Sequence, residues 1–197
     1  MTLMYETTKW FKGGNSPSPQ SLYEAESMKT TAGRWDYIKK FGFVLLSERL
    51  AKDIAKYSPL LEIGAGNGAL ANRISKYGAD IRAVDDKSGD YPFEHEQYYP
   101  VEKMSGYAAV WAEPKRTILM AWPSLSQGWA NEVLKRMRPD QTIIYIGEGL
   151  GGCTADDDFH KNLDDSFEHL HNIDMYQWHG LHDTCQVYRK LSPSQET

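Results

Sequence analysis

Short apolar segments alternate with longer amphipathic segments through the middle of the chain. Five of the apolar segments have the length and composition of buried strands. They lie at 59–63, 80–84, 98–101, 117–122 and 142–147. Between them, apolar residues recur at helical spacing at 69–77, 104–110 and 128–137. Because parallel strands need a crossover connection, usually a helix, this order predicts an α/β fold with a doubly wound, mainly parallel sheet.

The two flanks of this alternation have a different rhythm. On the amino-terminal side, apolar residues at helical spacing predict one long helical region at 37–57. On the carboxyl-terminal side, a helix is predicted at 159–170, and strand-like segments follow at 174–178 and 184–189. A short connection between two strands favours antiparallel pairing. The sequence therefore predicts a C-terminal antiparallel hairpin strand in the sheet.

The first 35 residues differ in composition from the rest of the chain. Segment 13–21 is rich in Gly, Ser, Asn and Pro, which indicates a loop, and a short helix is predicted at 21–28. We therefore expect two parts: an N-terminal arm or lid at 1–35, partly flexible, and a single ligand-binding α/β domain at 36–197.

The most informative motif follows the first predicted strand. Segment 60–68 reads Leu-Leu-Glu-Ile-Gly-Ala-Gly-Asn-Gly, an apolar run that ends in alternate glycines. Glycine allows positive φ and lets a ligand approach the backbone. A dinucleotide site favours the spacing Gly-x-Gly-x-x-Gly, which differs from the Glu-x-Gly-x-Gly-x-Gly found here. A plain turn and a nicotinamide dinucleotide site both remain alternatives at this point.

A second acidic position strengthens the motif. Asp85 closes the next predicted strand, 21 residues after Gly64, where a carboxylate can bind the hydroxyl groups of a ribose. The two motifs together resemble class I S-adenosylmethionine-dependent methyltransferases, which have a Rossmann-like fold. The resemblance covers roughly 37–190 and implies S-adenosylmethionine as cofactor and S-adenosylhomocysteine as product. It implies the following cofactor-binding residues: Glu62, Gly64, Ala65, Gly66, Gly68, Asp85 and Asp86.

The loop after the fourth predicted strand contains candidate acceptor-binding residues. Amino-group methyltransferases carry an (Asp/Asn/Ser)-Pro-Pro-(Tyr/Phe) motif at this place, whereas this chain has Ala-Trp-Pro-Ser at 121–124. The polar first residue is missing, which disfavours base methylation. Trp122 and Pro123 are predicted to contact the substrate, Trp122 by stacking on a flat or cationic group. Packing of Trp122 at the edge of the core is the alternative.

The loop after the fifth predicted strand is rich in glycine and acidic residues. Glu148 directly follows an apolar strand, and we predict it as the catalytic residue, either a general base or a substrate contact. Cys153 is predicted to border the substrate. Asp156 is a good N-cap for the next helix, which explains much of the acidic run that follows.

Composition narrows the class of protein and partner. The chain has 197 residues, 41% of them hydrophobic and 25% charged, as in soluble globular domains. A net charge of −5 disfavours nucleic acid as a partner. No apolar run is long enough to cross a bilayer and no secretory signal is visible, so we expect a cytoplasmic protein without membrane contact. Two cysteines and scattered histidines indicate no disulfide framework and no metal site.

These observations leave three functional hypotheses. The first is an S-adenosylmethionine-dependent methyltransferase with a small-molecule acceptor. The second is a noncatalytic protein that binds or senses the same cofactor or acts as a partner subunit. The third is an amino-group methyltransferase of nucleobases or peptides with a degenerate Pro-Pro-type motif. The sequence predicts neither the acceptor nor the oligomeric state.

Overall fold

The structure, a computed structural model, describes residues 31–89, 96–125, 127–178 and 180–192. The loop and helix predicted at 13–21 and 21–28 lie outside this range. Within it there are six helices: α1 Thr31–Phe41, α2 Glu48–Ala55, α3 Ala69–Ser75, α4 Gly106–Ala112, α5 Trp129–Arg136 and α6 Asp157–Ser166. The same residues form seven strands: β1 Leu60–Ile63, β2 Ile81–Asp85, β3 Val101–Lys103, β4 Thr117–Ala121, β5 Thr142–Gly147, β6 Phe167–Ile173 and β7 Thr184–Lys190.

The seven strands form one sheet in the order β3-β2-β1-β4-β5-β7-β6. Strands β1 to β5 pair in parallel, and β7 is antiparallel to both β5 and β6. The chain order reverses beside β1, because β2 and β4 lie on its two sides. The predicted fold class is therefore confirmed: a doubly wound, mainly parallel sheet with a C-terminal antiparallel hairpin strand. Ligands bind in such folds beyond the carboxyl ends of the strands, at the reversal point.

The sheet is buried on both faces. One face packs on α2 and α3 through Leu50, Ile54, Leu70 and Ile74. The other face packs on α4, α5 and α6 through a second cluster of buried side chains: Val110, Val133, Leu134, Phe159 and Leu163. Two-sided burial explains why the central strands are continuously apolar in sequence. All four residues of β1 are buried, Glu62 among them.

The helical region predicted at 37–57 is two helices. α1 ends at Phe41 because Gly42 follows with φ +84°, and its N–H donates to the Ile38 carbonyl. α2 begins after Ser47, whose hydroxyl accepts the Leu50 N–H. Both signals, a glycine stop and a serine cap, are standard helix boundaries. The predicted domain boundary at 35/36 falls within α1.

The C-terminal hairpin starts earlier than predicted. The helix predicted at 159–170 spans Asp157–Ser166, and the strand predicted at 174–178 is wrong. The partner of β7 is β6, Phe167–Ile173, in which all five residues between the two ends are exposed. β6 lies at the sheet edge with water beside it, so its sequence lacks the apolar alternation that identifies a strand. The prediction at 98–101 is likewise displaced, because β3 spans Val101–Lys103.

Candidate functional site

The glycine motif forms a tight loop between β1 and α3. Gly64, Gly66 and Gly68 have φ angles of +74°, +57° and +78°, the left-handed region that favours glycine. Trp129, the first residue of α5, lies over this loop, and a Cβ on Gly64 would stand 3.2 Å from its ring. The Ala65 carbonyl accepts the Gly68 N–H at 2.8 Å. The loop therefore stands at the point where the strand order reverses, with Gly64 partly exposed and Gly66 and Gly68 buried.

Glu62 is a buried carboxyl group beneath this loop. Its side chain is 3% exposed, and its Oε2 atom has no hydrogen-bond partner among the residues that the structure describes. Burial, together with the charge of Asp85, raises the pKa of Glu62 to about 8. A buried carboxyl oxygen without a partner is rare and costly. A cationic ligand that reaches Glu62 would provide the missing interaction.

Asp85, at the end of β2, is committed to the backbone. One carboxylate oxygen accepts the Gly66 N–H and the other the Lys87 N–H, both at 2.8 Å. The side chain is 3% exposed. Lys87 has φ +58°, and its Nζ donates to the Gly66 carbonyl at 2.6 Å. Asp85 thus holds the glycine loop in place, and the ribose contact predicted for it needs further acceptor capacity of the same two oxygens.

Asp86 lies beside Asp85 but is exposed. Its Oδ1 accepts hydrogen bonds from the hydroxyl and N–H of Ser88, at 2.6 and 2.9 Å. These bonds lower the pKa of Asp86, the hydroxyl bond most. The group is therefore an ionised acceptor at the surface of the site, in reach of a polar ligand.

We expect Asp85→Ala to lower the free energy of unfolding by about 2–4 kcal/mol, because the buried N–H of Gly66 and the partly buried N–H of Lys87 lose their acceptor. Asp86→Ala is the matched control, since it removes a neighbouring carboxylate that is exposed, and its expected loss is below about 1 kcal/mol. Urea unfolding at pH 7 measures both. Equal losses for the two variants would contradict the role of Asp85 in the loop.

Two clefts open at the carboxyl ends of the strands. The glycine-loop cleft, with a cavity volume of about 50 Å³, is bordered by Glu62, the glycine loop and aromatic side chains, the latter being Phe41, Phe43, Trp122 and Trp129. The β2 cleft, with a cavity volume of about 230 Å³, is bordered by polar and apolar groups, among them Asp85, Asp86, Met104, Ser105 and Tyr107. Gly64 and Trp129 border both clefts. The two clefts therefore adjoin at Gly64 and Trp129.

Trp122 forms one wall of the glycine-loop cleft. It has φ +51°, which is unusual for a bulky residue and indicates that its surroundings fix it. Its ring stacks on Phe43, with centroids 4.9 Å apart and planes 9° apart. Pro123, the next residue, is buried, and its carbonyl accepts the Ala155 N–H. Of the two predicted substrate contacts, Trp122 therefore borders the cleft, whereas Pro123 supports it from behind.

Glu148 connects two loops. One carboxylate oxygen accepts the Cys153 N–H at 2.8 Å, and the other accepts the His182 N–H at 2.9 Å. Burial opposes ionisation, but these hydrogen bonds outweigh it and lower the pKa of Glu148. A carboxylate with both oxygens engaged and a lowered pKa is a weak base. The geometry therefore gives Glu148 a structural task that competes with the catalytic role predicted for it.

Cys153 is exposed on the loop after β5. The hydrogen bond to Glu148 and the charge of that carboxylate raise the pKa of the Cys153 thiol. Because the thiolate is the reactive form, this environment disfavours Cys153 as a nucleophile. Cys153 remains a predicted substrate contact by position only.

The sequence reasoning missed two groups on the Trp122 side of the site, Asp183 and Arg34. Asp183 is 1% exposed, and its Oδ2 accepts the indole N–H of Trp122 at 3.2 Å. Arg34 stacks over Trp178 at 5.7 Å and lies close enough to lower the pKa of Asp183. No local pattern identifies either residue, since α1 and the start of β7 meet only in the folded chain.

No family model matches the sequence, and no curated protein matches it. Solved structures do, among them TrmN from Thermus thermophilus, at 14% identity and a TM-score of 0.48 over 74% of this chain and 49% of that one. Human N-acetylserotonin methyltransferase, in complex with SAM, matches at 13% identity and a TM-score of 0.47, over 97% of this chain and 66% of that one. A Burkholderia thailandensis 1,6-didemethyltoxoflavin-N1-methyltransferase, with bound 1,6-didemethyltoxoflavin and S-adenosylhomocysteine, matches at 13% identity and a TM-score of 0.47. The match covers 92% of this chain and 95% of that one.

This chain thus spans about half the length of the TrmN chain. Similarity at this level assigns neither an activity nor a ligand to the chain. Two further properties concern the described residues alone. None of their helices is long and apolar enough to cross a membrane. They also contain no group of three or more His, Cys, Asp or Glu side chains arranged to hold a metal ion.

Proposed function

We propose that the protein is an S-adenosylmethionine-dependent methyltransferase with a small-molecule acceptor. The unpartnered Oε2 of Glu62, in a cleft walled by aromatic rings, carries the proposal. A carboxylate and aromatic faces together favour a cation. The methionine part of the cofactor carries an ammonium group and a sulfonium group, and both would lie in this cleft.

The β2 cleft supports the nucleoside part of the same ligand. Asp85 and Asp86 lie at its edge, as expected for residues that accept ribose hydroxyl groups, and Met104 and Tyr107 offer apolar contact to a base. Since both clefts border Gly64 and Trp129, one molecule with a cationic end and a nucleoside end fits them together. A dinucleotide fits less well, because its pyrophosphate would face the carboxylates of Asp85 and Asp86.

Methyl transfer from a sulfonium demands mainly that the acceptor atom lie in line behind the methyl carbon. In the proposed arrangement Gly64, Ala65 and Gly66, which border the glycine-loop cleft, let the methionine part approach the backbone, whereas Gly68 packs against Tyr99. The sulfonium supplies an activated methyl group when the cofactor is bound. The aromatic walls of the glycine-loop cleft exclude water and orient the acceptor.

Calorimetry with three ligands tests the cofactor. We expect S-adenosylmethionine and S-adenosylhomocysteine to bind in the micromolar range, and NAD to bind far more weakly. Trp129→Ala is expected to weaken binding of the first two at least tenfold, since this ring borders both clefts. Trp111→Ala, in which the side chain is 63% exposed, is the matched control and should bind as the wild type does. Saturation by NAD alone would contradict the proposal.

A noncatalytic cofactor-binding protein is the second candidate. The stacking of Phe43 on Trp122 favours it, because this pair occupies the wall where an acceptor would lie. An acceptor screen with a labelled methyl donor separates the two candidates. Transfer of label to any compound supports the enzyme, and binding without transfer across a broad panel supports the noncatalytic protein.

A further inference from the structure

One carboxylate oxygen of Asp183 is buried without a hydrogen-bond partner among the described residues. This oxygen is Oδ1, whereas Oδ2 accepts the Trp122 indole N–H. Buried carboxylate oxygens are costly to desolvate and are nearly always hydrogen-bonded. Oδ1 is therefore an acceptor without a donor, and Asp183 is linked to the glycine-loop cleft through the Trp122 side chain.

The position of Asp183 follows from the topology. β7 is antiparallel to β5, so the residue before β7 lies at the same edge of the sheet as the carboxyl ends of the parallel strands. Glu148 fixes this point, because its carboxylate accepts the N–H of His182, the residue before Asp183. Asp183 therefore stands behind Trp122, the wall of the glycine-loop cleft.

The charged and titratable groups around Asp183 come from several elements. They are Glu148 after β5, Arg34 on α1, His182 beside it, Tyr145 on β5 and Cys153 on the following loop. Burial raises the pKa of Asp183 to about 6, and the charge of Glu148 adds to this while Arg34 and His182 oppose it. Asp183 is thus mostly ionised at neutral pH, yet it is a stronger base than an ordinary carboxylate.

We propose that Asp183 is the acceptor-binding carboxylate and general base of the methyl transfer, and that the acceptor is a planar compound with an N–H or O–H group at its edge. This proposal rests on the function proposed above. The donor group of the acceptor hydrogen-bonds to Oδ1 of Asp183, and the ring of the acceptor lies against Trp122. Phe43 stacks on this indole face, so the acceptor ring has to displace Phe43 and take over its stacking contact.

The transfer then balances without another reactant. The bond between the methyl carbon and sulfur breaks, and a bond forms between that carbon and the nitrogen or oxygen of the acceptor. The sulfonium takes the electron pair and becomes a neutral thioether. The proton of the acceptor passes to Oδ1 of Asp183 and then to solvent.

Matched pairs of small compounds test the proposal without knowledge of the natural acceptor. Phenol and anisole share a ring but differ in the O–H donor, and indole and 1-methylindole differ in the same way at N–H. The probe is the indole N–H resonance of Trp122 in a nitrogen-15 spectrum, assigned by its loss in Trp122→Phe, with S-adenosylhomocysteine present. We expect phenol and indole to shift this resonance with at least tenfold lower dissociation constants than their methylated partners.

The pH dependence tests the base. In the wild type we expect the Trp122 resonance to titrate with a midpoint near pH 6, and phenol binding to strengthen as pH rises through it. Asp183→Asn keeps the shape but replaces an acceptor oxygen by a donor amide, so the titration and the preference for phenol over anisole should both vanish. Asp174→Asn, at an exposed carboxylate, should behave as the wild type does.

The outcomes separate the two proposals. Equal binding of blocked and unblocked compounds, no binding of any, or an unaltered preference in Asp183→Asn would overturn the role of Asp183. A folded Asp183→Asn variant that still binds S-adenosylhomocysteine shows that the loss is local. If S-adenosylhomocysteine fails to bind the wild type while Trp122 responds to phenol, the proposed function is wrong and the site at Asp183 stands.

Discussion

Glu62→Gln is expected to make the ligand-free protein more stable at alkaline pH and to abolish tight binding of S-adenosylmethionine. Burial raises the pKa of Glu62 to about 8, whereas an unfolded glutamate has a pKa near 4.5. The folded protein therefore holds this proton to higher pH than the unfolded chain does. The stability that Glu62 contributes is complete below pH 4.5 and is lost as pH rises through about 8. Glutamine has no proton to lose.

The difference in free energy of unfolding between Glu62→Gln and the wild type should therefore increase with pH. We expect it to be constant below about pH 4.5, to grow in favour of the variant across the window, and to level off above about pH 8, on the order of 3–5 kcal/mol in total. Urea unfolding at pH 4, 7 and 9 measures it. Glu48→Gln is the matched control, because the carboxylate of Glu48 is exposed at the surface, where it pairs with Lys52. A difference that does not change with pH would contradict the burial of a protonated Glu62.

Glu62→Gln should weaken the binding of S-adenosylmethionine although it stabilises the ligand-free protein. In the wild type a bound cation favours the ionised form of Glu62, so binding at pH 7 releases a proton. Calorimetry in two buffers of different ionisation enthalpy detects that release, and it should be absent in Glu62→Gln. We expect the variant to bind S-adenosylmethionine at least tenfold more weakly. Unchanged affinity and unchanged proton release would remove Glu62 from the cofactor site.

The central sheet could be predicted from the sequence because burial on both faces leaves a strong local signal. β5 was predicted with its observed bounds, and the glycine turn after β1 with its helix α3. The prediction of one helical region at 37–57 was wrong, because apolar residues continue at helical spacing across the break between α1 and α2. Gly42 and Ser47 mark that break. β6 was not predicted because it is an exposed edge strand, whose sequence has no apolar alternation to identify it.

The residues of the candidate site were likewise predictable only in part. Glu62 and the glycines are neighbours in sequence, so their motif is visible without a structure. The hydrogen bonding that distinguishes Glu148 from Asp183 is not visible in the sequence, because it depends on which carboxylate receives backbone N–H groups in the folded chain. Glu148 receives two of them, whereas among the described residues Asp183 receives the Trp122 indole N–H on one carboxylate oxygen and no donor on the other. Those donors come from loops that meet only when β7 inserts beside β5.

Gly68→Ala is expected to cost far more stability than Gly78→Ala, although both glycines have nearly the same backbone conformation. Their φ angles are +78° and +81°, so each alanine carries the left-handed penalty of about 1–2 kcal/mol. The surroundings differ. A Cβ on Gly68 would lie 2.8 Å from the Tyr99 Cβ and 3.1 Å from the Tyr99 carbonyl oxygen, whereas a Cβ on Gly78 would have no atom within 4 Å.

The contact at Gly68 involves backbone, so it cannot be relieved by a side-chain rotation. We expect Gly68→Ala to lower the free energy of unfolding by about 3–5 kcal/mol, and Gly78→Ala by about 1–2 kcal/mol. Equal losses in urea unfolding would show that the segment at Tyr99 moves away freely. Because the Asn67 carbonyl accepts the Tyr98 N–H, the shift of this segment that Gly68→Ala forces also displaces Asn67, which borders the glycine-loop cleft. S-adenosylhomocysteine binding should therefore fall in Gly68→Ala and stay unchanged in Gly78→Ala, which links the close packing of this glycine to the cofactor site itself.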